Sequence, residues 1–570
     1  MTPLLAVRDL SIAFQGGAIE AVRGVSLDVN PGECLGIVGE SGSGKSLTAL
    51  AAMGLSPAGA VVSGSIRLDG QELLGLSDPD LNRLRGARMG MIFQDPLTSL
   101  APHLRVGEQI AAPLLAHGGL SRGDAWREAR RWLDRVRIPD PDARLRQFPH
   151  ELSGGMRQRV MIAAALAAGP KLLLADEPTT ALDVTVQAGI LDLLQDLRAE
   201  TGAAIVLISH DMGVMARMAD RICVMRAGAY VEEGEAAQVL AAPRSDYAKA
   251  LLAATPRLDG QGRPGRARPS PVAADAAPVL EARDLTVDFR LRQGLFAPAR
   301  RLRAVDGVSF TLRRGETLGV VGESGSGKST LARAALRLLP SAGAVTLMGE
   351  SLSTADKAAL RRARSDLQIV FQDPLGSLDP RRTVGQSVAE PLQVHRPDLG
   401  RAERDALVAR WLGDVGLSPA MAARHPHQLS GGQAQRAGIA RAMILEPRVV
   451  ICDEAVTALD VSVRAQVIDL LVTLQARLGT ALVFISHDLA VVREVSHRVM
   501  VLYGGRIVEE GPADAVLADA RHPYTQALLS AVLPPEVRMR APAPARRLPP
   551  PPDGGRAPLV EVGPGHRAAV

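Results

Sequence analysis

One octapeptide occurs twice in this chain, as GESGSGKS at Gly39 to Ser46 and again at Gly322 to Ser329. Four further motifs follow each copy in the same order, around Gln94/Gln372, Ser153/Ser430, Glu177/Glu454 and His210/His487. The offset stays near about 280 positions throughout, so the chain is a tandem duplication and not one large fold. A length of 570 residues would by itself suggest about four domains, but the repeat replaces that prior with two larger ones, each long enough to bury its own core. The expected division is domain 1 over 1–255, a linker over 256–278, domain 2 over 279–533 and a tail over 534–570. The linker and tail are rich in Pro, Gly, Ala and Arg, and most of the tail is expected to be disordered or draped on the surface.

Within each repeat, short β-branched runs alternate with longer amphipathic stretches. That rhythm predicts an α/β fold with a mostly parallel sheet covered by helices. GxxxxGKS after an apolar run and before an amphipathic one reads as strand, glycine-rich turn and helix. Gly39, Ser41, Gly42 and Gly44, matched by Gly322, Ser324, Gly325 and Gly327, would offer backbone N–H groups to phosphate oxygens at a helix N-terminus. Lys45 and Lys328 would reach the β- and γ-phosphates, Ser46 and Ser329 would ligate Mg2+, and Leu47 and Thr330 complete the nucleotide-contacting stretch. Only five of the 66 basic residues are Lys, and two of those five are Lys45 and Lys328. A compact ammonium fits between phosphate oxygens where a planar guanidinium does not.

The apolar runs LLLADE and VVICDE end in acids. Asp176 and Asp453 are placed to hold Mg2+ through water, with Glu177 and Glu454 next in line to orient or deprotonate an attacking water. AAIVLISHD and ALVFISHD end in His-Asp, and the C-terminal ends of strands are where ligands sit in such sheets.

Composition excludes several classes. No apolar run reaches the roughly 18 residues a membrane span needs, and MTPLLAVRDL carries no basic region followed by an apolar stretch, so no secretory signal is expected. Cys34, Cys223 and Cys452 sit in apolar strand-like runs, as reduced core thiols do. The net charge of +5 is dispersed and aromatics are 3% of residues, which argues against a stacking platform for nucleic acid. The repeats differ at their starts: the second is longer between Phe289 and Gly307 and carries Arg290, Arg292, Arg300, Arg301 and Arg303. That extension reads as a solvated hairpin, or as a face for lipid headgroups or an acidic partner.

HELSGGMRQRV at His150 to Val160, repeated as HQLSGGQAQRA at His427 to Ala437, makes a family resemblance specific. LSGGM and LSGGQ resemble the signature of ATP-binding cassette (ABC) ATPases, followed in each repeat by an ADE or CDE strand, a TALD loop and an SHD loop. The resemblance covers both repeats almost end to end. It implies two tandem ABC-type P-loop ATPase domains that hydrolyse ATP with Mg2+, each with a mostly parallel sheet core, an antiparallel β subdomain and a helical subdomain. A Ser-Gly-Gly step opening a helix offers a hydroxyl, bare N–H groups and a positive dipole end to an anion. Ser153, Gly154 and Gly155, with Ser430, Gly431 and Gly432, are therefore read as nucleotide contacts. In the family fold they lie on the edge opposite the phosphate loop of their own copy, which implies head-to-tail pairing of the two cassettes, Ser430 facing the loop of Lys45 and Ser153 that of Lys328.

The resemblance carries further residues over. Gln94 and Gln372 match the glutamine that senses Mg2+ and the attacking water, Asp183 and Asp460 the loop linking the two sites, His210 and His487 the histidine on the γ-phosphate, and Phe14 and Phe289 the aromatic stacked on adenine. Met156 stands where the signature commonly has Gln, and Ala455-Val456 follows Glu454 where Pro178-Thr179 follows Glu177. Neither departure touches a residue assigned to chemistry.

The segments DPLTSLAPHLRVGEQIAAPL and DPLGSLDPRRTVGQSVAEPL, and the stretches SDYAKALLAATP and HPYTQALLSAVLP, resemble ATPases of the peptide, nickel, opine and glutathione importers; LVEVGPGHRAAV resembles their closing tail. This implies a subunit powering import of peptides or a related small solute through two integral membrane permease subunits and, through them, a substrate-binding protein. Its place would be peripheral, on the cytoplasmic face of the bacterial inner membrane, without a nucleic-acid partner. The alternative is a soluble tandem-cassette ATPase acting on the ribosome. Such factors generally join their cassettes by a long helical arm, whereas the segment 256–278 contains five Pro and cannot form one. Both sites are expected to hydrolyse ATP: Glu177→Gln alone and Glu454→Gln alone should remove comparable shares of steady-state ATPase, and grossly unequal losses would refute two competent sites.

Overall fold

The computed structural model describes residues 2–180, 182–258, 269, 272–273, 276–291, 300–457, 459–536 and 557–569. Most of the expected linker and of the Pro-rich tail lies outside them, as does Arg292. The chain divides into two compact units, one formed by Met1–Thr255 with Leu533–Ala545 and the other by Pro256–Val532 with Arg546–Val570.

The first unit holds two sheets. Leu5–Phe14 pairs antiparallel with Ile19–Val29 and Val61–Leu68, and the short Gln71–Glu72 completes that sheet. The larger sheet runs Ala229–Glu235, Arg221–Arg226, Cys34–Val38, Ala204–Ser209, Leu172–Asp176, Met89–Ile92; all neighbours are parallel except the first pair. The continuous apolar runs of its central strands have a direct cause. Leu172 and Leu174 enter the core shared with the antiparallel sheet, while Leu173 and Ala175 enter the core shared with the helices Val106–His117, Arg122–Arg135 and Gly154–Leu166. A strand buried on both faces has no position left for a polar side chain until it ends.

The second unit repeats this plan. Val449 and Ile451 face one core, Val450 and Cys452 the other. Both units thus have the expected α/β architecture, with a mostly parallel sheet, an antiparallel sheet and a helical layer. All three cysteines are buried and free, and burial pushes the thiols of Cys34 and Cys452 up to about 12. No helix among the described residues is long and apolar enough to cross a membrane.

The Arg-rich extension forms the arms of a hairpin, Pro278–Leu291 against Arg300–Arg313, with Arg290 opposite Arg301. Arg301 and Arg303 both pair with Asp288, so part of its charge is neutralised within the hairpin.

The end of the chain departs from the expectation of a disordered or draped tail. Val560–Gly563 and His566–Ala568 form a hairpin that extends the large sheet of the second unit beyond Arg506–Pro512. Gly565, at φ 65°, follows Pro564 in the turn, the order a type II turn prefers. His566 and Ala568 point inward and Arg567 outward, the period of two that a half-buried strand requires. His566 Nε2 lies 2.7 Å from Oε1 of Glu509. That carboxylate is fully buried and also accepts the backbone N–H groups of Arg521 and His522. Its counterpart Glu232 accepts the N–H groups of Arg244 and Ser245, with no such hairpin over it among the described residues. Removing one partner from a buried acceptor costs about 1–3 kcal/mol. His566→Ala should therefore destabilise the second unit by about that amount in denaturant titration, and unchanged stability would show that the hairpin adds nothing.

Candidate nucleotide-binding sites

The candidate phosphate loops begin where buried strands end. Cys34–Val38 leads into Gly39, and the helix Lys45–Ala52 starts six residues on; Thr317–Val321 leads likewise into Lys328–Ala335. The glycines answer to different constraints. A Cβ on Gly39 would lie 2.1 Å from the carbonyl of Met225 and one on Gly322 2.3 Å from that of Leu502. Gly44 and Gly327, at φ 99° and 103°, meet the carbonyls of Ala21 and Ala304, whereas Gly42 and Gly325 face open space and are required only by φ values of 75° and 81°.

Lys45 is buried and donates to the carbonyls of Gly39 (2.8 Å) and Glu40 (2.7 Å); Lys328 donates to Gly322 (2.7 Å) and Glu323 (2.9 Å). Ser46 donates to Asp176 Oδ1 at 2.9 Å and Ser329 to Asp453 Oδ1 at 2.7 Å. Each pair sets a hydroxyl beside a carboxylate, the oxygen donors that a hard cation such as Mg2+ takes. Burial raises the Asp176 carboxyl to about 6, with Ser46 opposing and neighbouring Glu177 adding to the rise. Asp453 is raised for the same reasons.

Glu177 goes the other way. Burial alone would raise it, but the bond and charge of His210, the hydroxyl of Thr180 and the charge of Lys45 outweigh burial and hold it at about 2. Gln94 Nε2 donates to Glu177 Oε2 at 2.9 Å, Thr180 Oγ1 to the same oxygen at 2.7 Å, and His210 Nδ1 lies 3.3 Å from Oε1. In the second unit Gln372 donates to Glu454 Oε2 at 2.8 Å and His487 Nδ1 lies 3.8 Å from that carboxylate. Glu454 is lowered too, His487 being the chief influence opposing burial. The fold thus brings Lys, Ser, Asp, Glu, Gln and His of each copy to the end of its sheet.

Ser153 and Ser430 cap the helices Gly154–Leu166 and Gly431–Met443. Ser430 does so reciprocally, its Oγ accepting from Gln433 N while Gln433 Oε1 accepts from Ser430 N; Met156 cannot return the bond. A Cβ on Gly155 or Gly432 would strike Val186 or Val463 at 2.6 and 2.5 Å, so these second glycines are needed for helix packing, while Gly431 has open space. Asp183 and Asp460 precede the helices Val184–Thr201 and Val461–Leu478. Phe14 pairs with Ile19 and Phe289 with Leu302, each pair two residues short of the Ala21 or Ala304 carbonyl that touches the phosphate loop. Phe14 also packs partly into the core, whereas Phe289 is 38% exposed.

Three features escape a sequence reading. Glu177 and Glu454 adopt left-handed backbone, φ 47° and 49°, a strained setting for a side chain that the surrounding turn must impose. Asp211 and Asp488 cap the helices after the histidines and are tied to the helices after Asp183 and Asp460 by different residues, Gln187 at 3.2 Å and Arg464 at 3.1 Å. Thr180 and Thr457 are the same residue at matching positions, yet Thr180 bonds Glu177 whereas the Thr457 hydroxyl is buried without a partner among the described residues. Only the spacing of three from the glutamate hinted at the first.

The family described as ABC transporter matches residues 22–180 and 305–457, and the family described as oligopeptide/dipeptide transporter, C-terminal region, matches 231–278 and 508–553. The chain is 50% identical over 558 residues to the glutathione import ATP-binding protein GsiA of Salmonella typhimurium, covering 93% of this chain and 89% of that protein. It is 49% identical over 557 residues to GsiA of Escherichia coli K12, with the same coverage.

The threonine asymmetry is testable. Thr180→Val removes a hydrogen bond to a charged group, worth about 1.5–3 kcal/mol, while Thr457→Val removes a buried hydroxyl that has no partner and should be neutral or stabilising. Thermal melts and ATPase assays of the two variants should differ accordingly; equal effects would show the two turns to be equivalent.

Proposed function

Because this chain belongs to the ABC transporter family, as a fused tandem ATPase of the oligopeptide importer type, we propose that it powers the uptake of short peptides. Glutathione, which the GsiA proteins are named for importing, is the leading cargo. An identity of 50% spread over 93% of the chain carries this reading. The ATPase activity follows from the family.

In this reading Lys45 and Lys328 exchange their carbonyl partners for the β- and γ-phosphate oxygens of ATP, since an ammonium already desolvated at the loop gains most from an anion. Ser46 with Asp176, and Ser329 with Asp453, would hold Mg2+. The ion, when bound, neutralises and orients the phosphates. Glu177 and Glu454 stay ionised and so can accept a proton from the attacking water. Gln94 and Gln372, already on one oxygen of that carboxylate, orient the water, and His210 and His487 on its other side stabilise charge at the γ-phosphate. The capped helix ends at Ser153 and Ser430 suit an anion, and the head-to-tail pairing that the family resemblance implies would give each of them the nucleotide of the other cassette.

The absence of a membrane-crossing helix among the described residues is consistent with work done on separate permease subunits. Peripheral attachment at the cytoplasmic face of the inner membrane, with a substrate-binding protein delivering cargo, follows from that arrangement. The test is to isolate the Glu177→Gln/Glu454→Gln protein with ATP and Mg2+ from solubilised cells and identify its companions by mass spectrometry. Two polytopic membrane proteins are expected. Ribosomal proteins in their place would reject the import reading and leave the ATPase assignment standing.

A further inference from the structure

The stretches SDYAKALL and HPYTQALL place a tyrosine behind each phosphate loop. Glu40 N–H donates to the Tyr247 hydroxyl at 3.1 Å, and Glu323 N–H to the Tyr524 hydroxyl at 2.9 Å. The N–H of Glu40 belongs to the same peptide group as the carbonyl of Gly39, which receives Lys45 Nζ. One peptide plane is therefore held at both ends, by a phenol on its N–H and by the loop lysine on its carbonyl. The second copy repeats this with Gly322, Glu323 and Lys328.

The tyrosines are themselves held. Each lies in a helix closing its cassette, Asp246–Ala254 and Pro523–Ser530. Just ahead of each helix a carboxylate, Glu232 or Glu509, grips two consecutive backbone N–H groups. Ser245 Oγ caps the first helix, and His522 Nδ1 accepts from Tyr524 N in the second. The Arg226 guanidinium lies 5.0 Å from the Tyr247 ring centre, and Tyr503 meets Tyr524 edge-on at 4.7 Å. A hydroxyl fixed this firmly, in both copies and on the same peptide, does more than fill space.

We propose that Tyr247 and Tyr524 are positioning residues for nucleotide binding: each locks the first peptide of its phosphate loop and so presets the loop lysine for phosphate. This rests on the reading of Lys45 and Lys328 as phosphate ligands. Tyrosine is the residue suited to the task. It spans the distance from the closing helix on a rigid ring with two rotatable bonds, and it ends in an oxygen that accepts a hydrogen bond without carrying charge toward the phosphates. Loss of the hydroxyl leaves the loop N–H without that acceptor and lets the peptide reorient, so part of ATP's binding energy goes into ordering the loop. A neutral hydrogen bond of ordinary strength corresponds to about fivefold in affinity.

Equilibrium titration of the full chain with ATP tests this, one site at a time. In a Lys45→Ala background only the second loop is intact. There Tyr524→Phe should weaken ATP binding about fivefold, with unchanged stoichiometry whatever the change in melting temperature, while Tyr247→Phe changes it less than twofold. A Lys328→Ala background should reverse the two results. A purely structural hydroxyl would lower the melting temperature and the fraction of protein able to bind, leaving the dissociation constant of the remainder intact; that outcome, or an unchanged dissociation constant, overturns the proposal. If Lys45→Ala and Lys328→Ala each bound two ATP with wild-type affinity, the phosphate-ligand reading would fall, and the tyrosine role with it.

Discussion

Two adjacent carboxylates at the end of a strand buried on both faces impose the arrangement around them. Asp176 and Glu177 cannot both be left to burial and mutual repulsion. The molecule separates them by turning Glu177 into left-handed backbone and giving each acid its own partners. Asp176 receives one neutral hydroxyl and is pushed up to about 6; Glu177 receives His210, Gln94 and Thr180 and is held at about 2. Neighbouring groups driven apart in this way are suited to different roles. Here the upper acid sits beside the phosphate-loop serine and the lower one beside the glutamine and histidine. The Asp453 and Glu454 pair shows the same opposition in direction.

The duplication keeps this plan and varies its supports. Among the described residues, Thr180 bonds its glutamate and Thr457 does not; Gln433 closes a reciprocal cap that Met156 leaves half made; Glu509 is sealed by a terminal hairpin and Glu232 is not. None of these differences changes the kind of group at the candidate site. All of them change how firmly such a group is held, which is where two cassettes with the same inventory can come to differ in rate or affinity.

Much of the candidate site was legible because its polar residues interrupt an otherwise regular apolar pattern. An apolar run such as LLLAD must end where polar groups begin, so the end of the run marks the end of the sheet. The terminal hairpin was missed for the converse reason. Its alternation around Pro564-Gly565 is readable, but the Pro-rich stretch ahead of it dominates the composition, and a short strand shows its worth only when an edge is present to receive it. The tyrosines lie in a family-like segment, and nothing in the spacing says that their hydroxyls reach a loop some 200 residues earlier.

The sequence by itself determined the chemical inventory and its order: two phosphate loops, two acid pairs, two signature helices, and the alternating burial that makes each unit a two-faced sheet. Local spacing and side-chain chemistry suffice for that, since they act over a few residues. The tertiary structure alone decided which oxygen meets which donor. Ser46 reaches Asp176 across 130 positions and Gln94 reaches Glu177 across 83. Such contacts depend on the order and register in which parallel strands align, which no local pattern encodes.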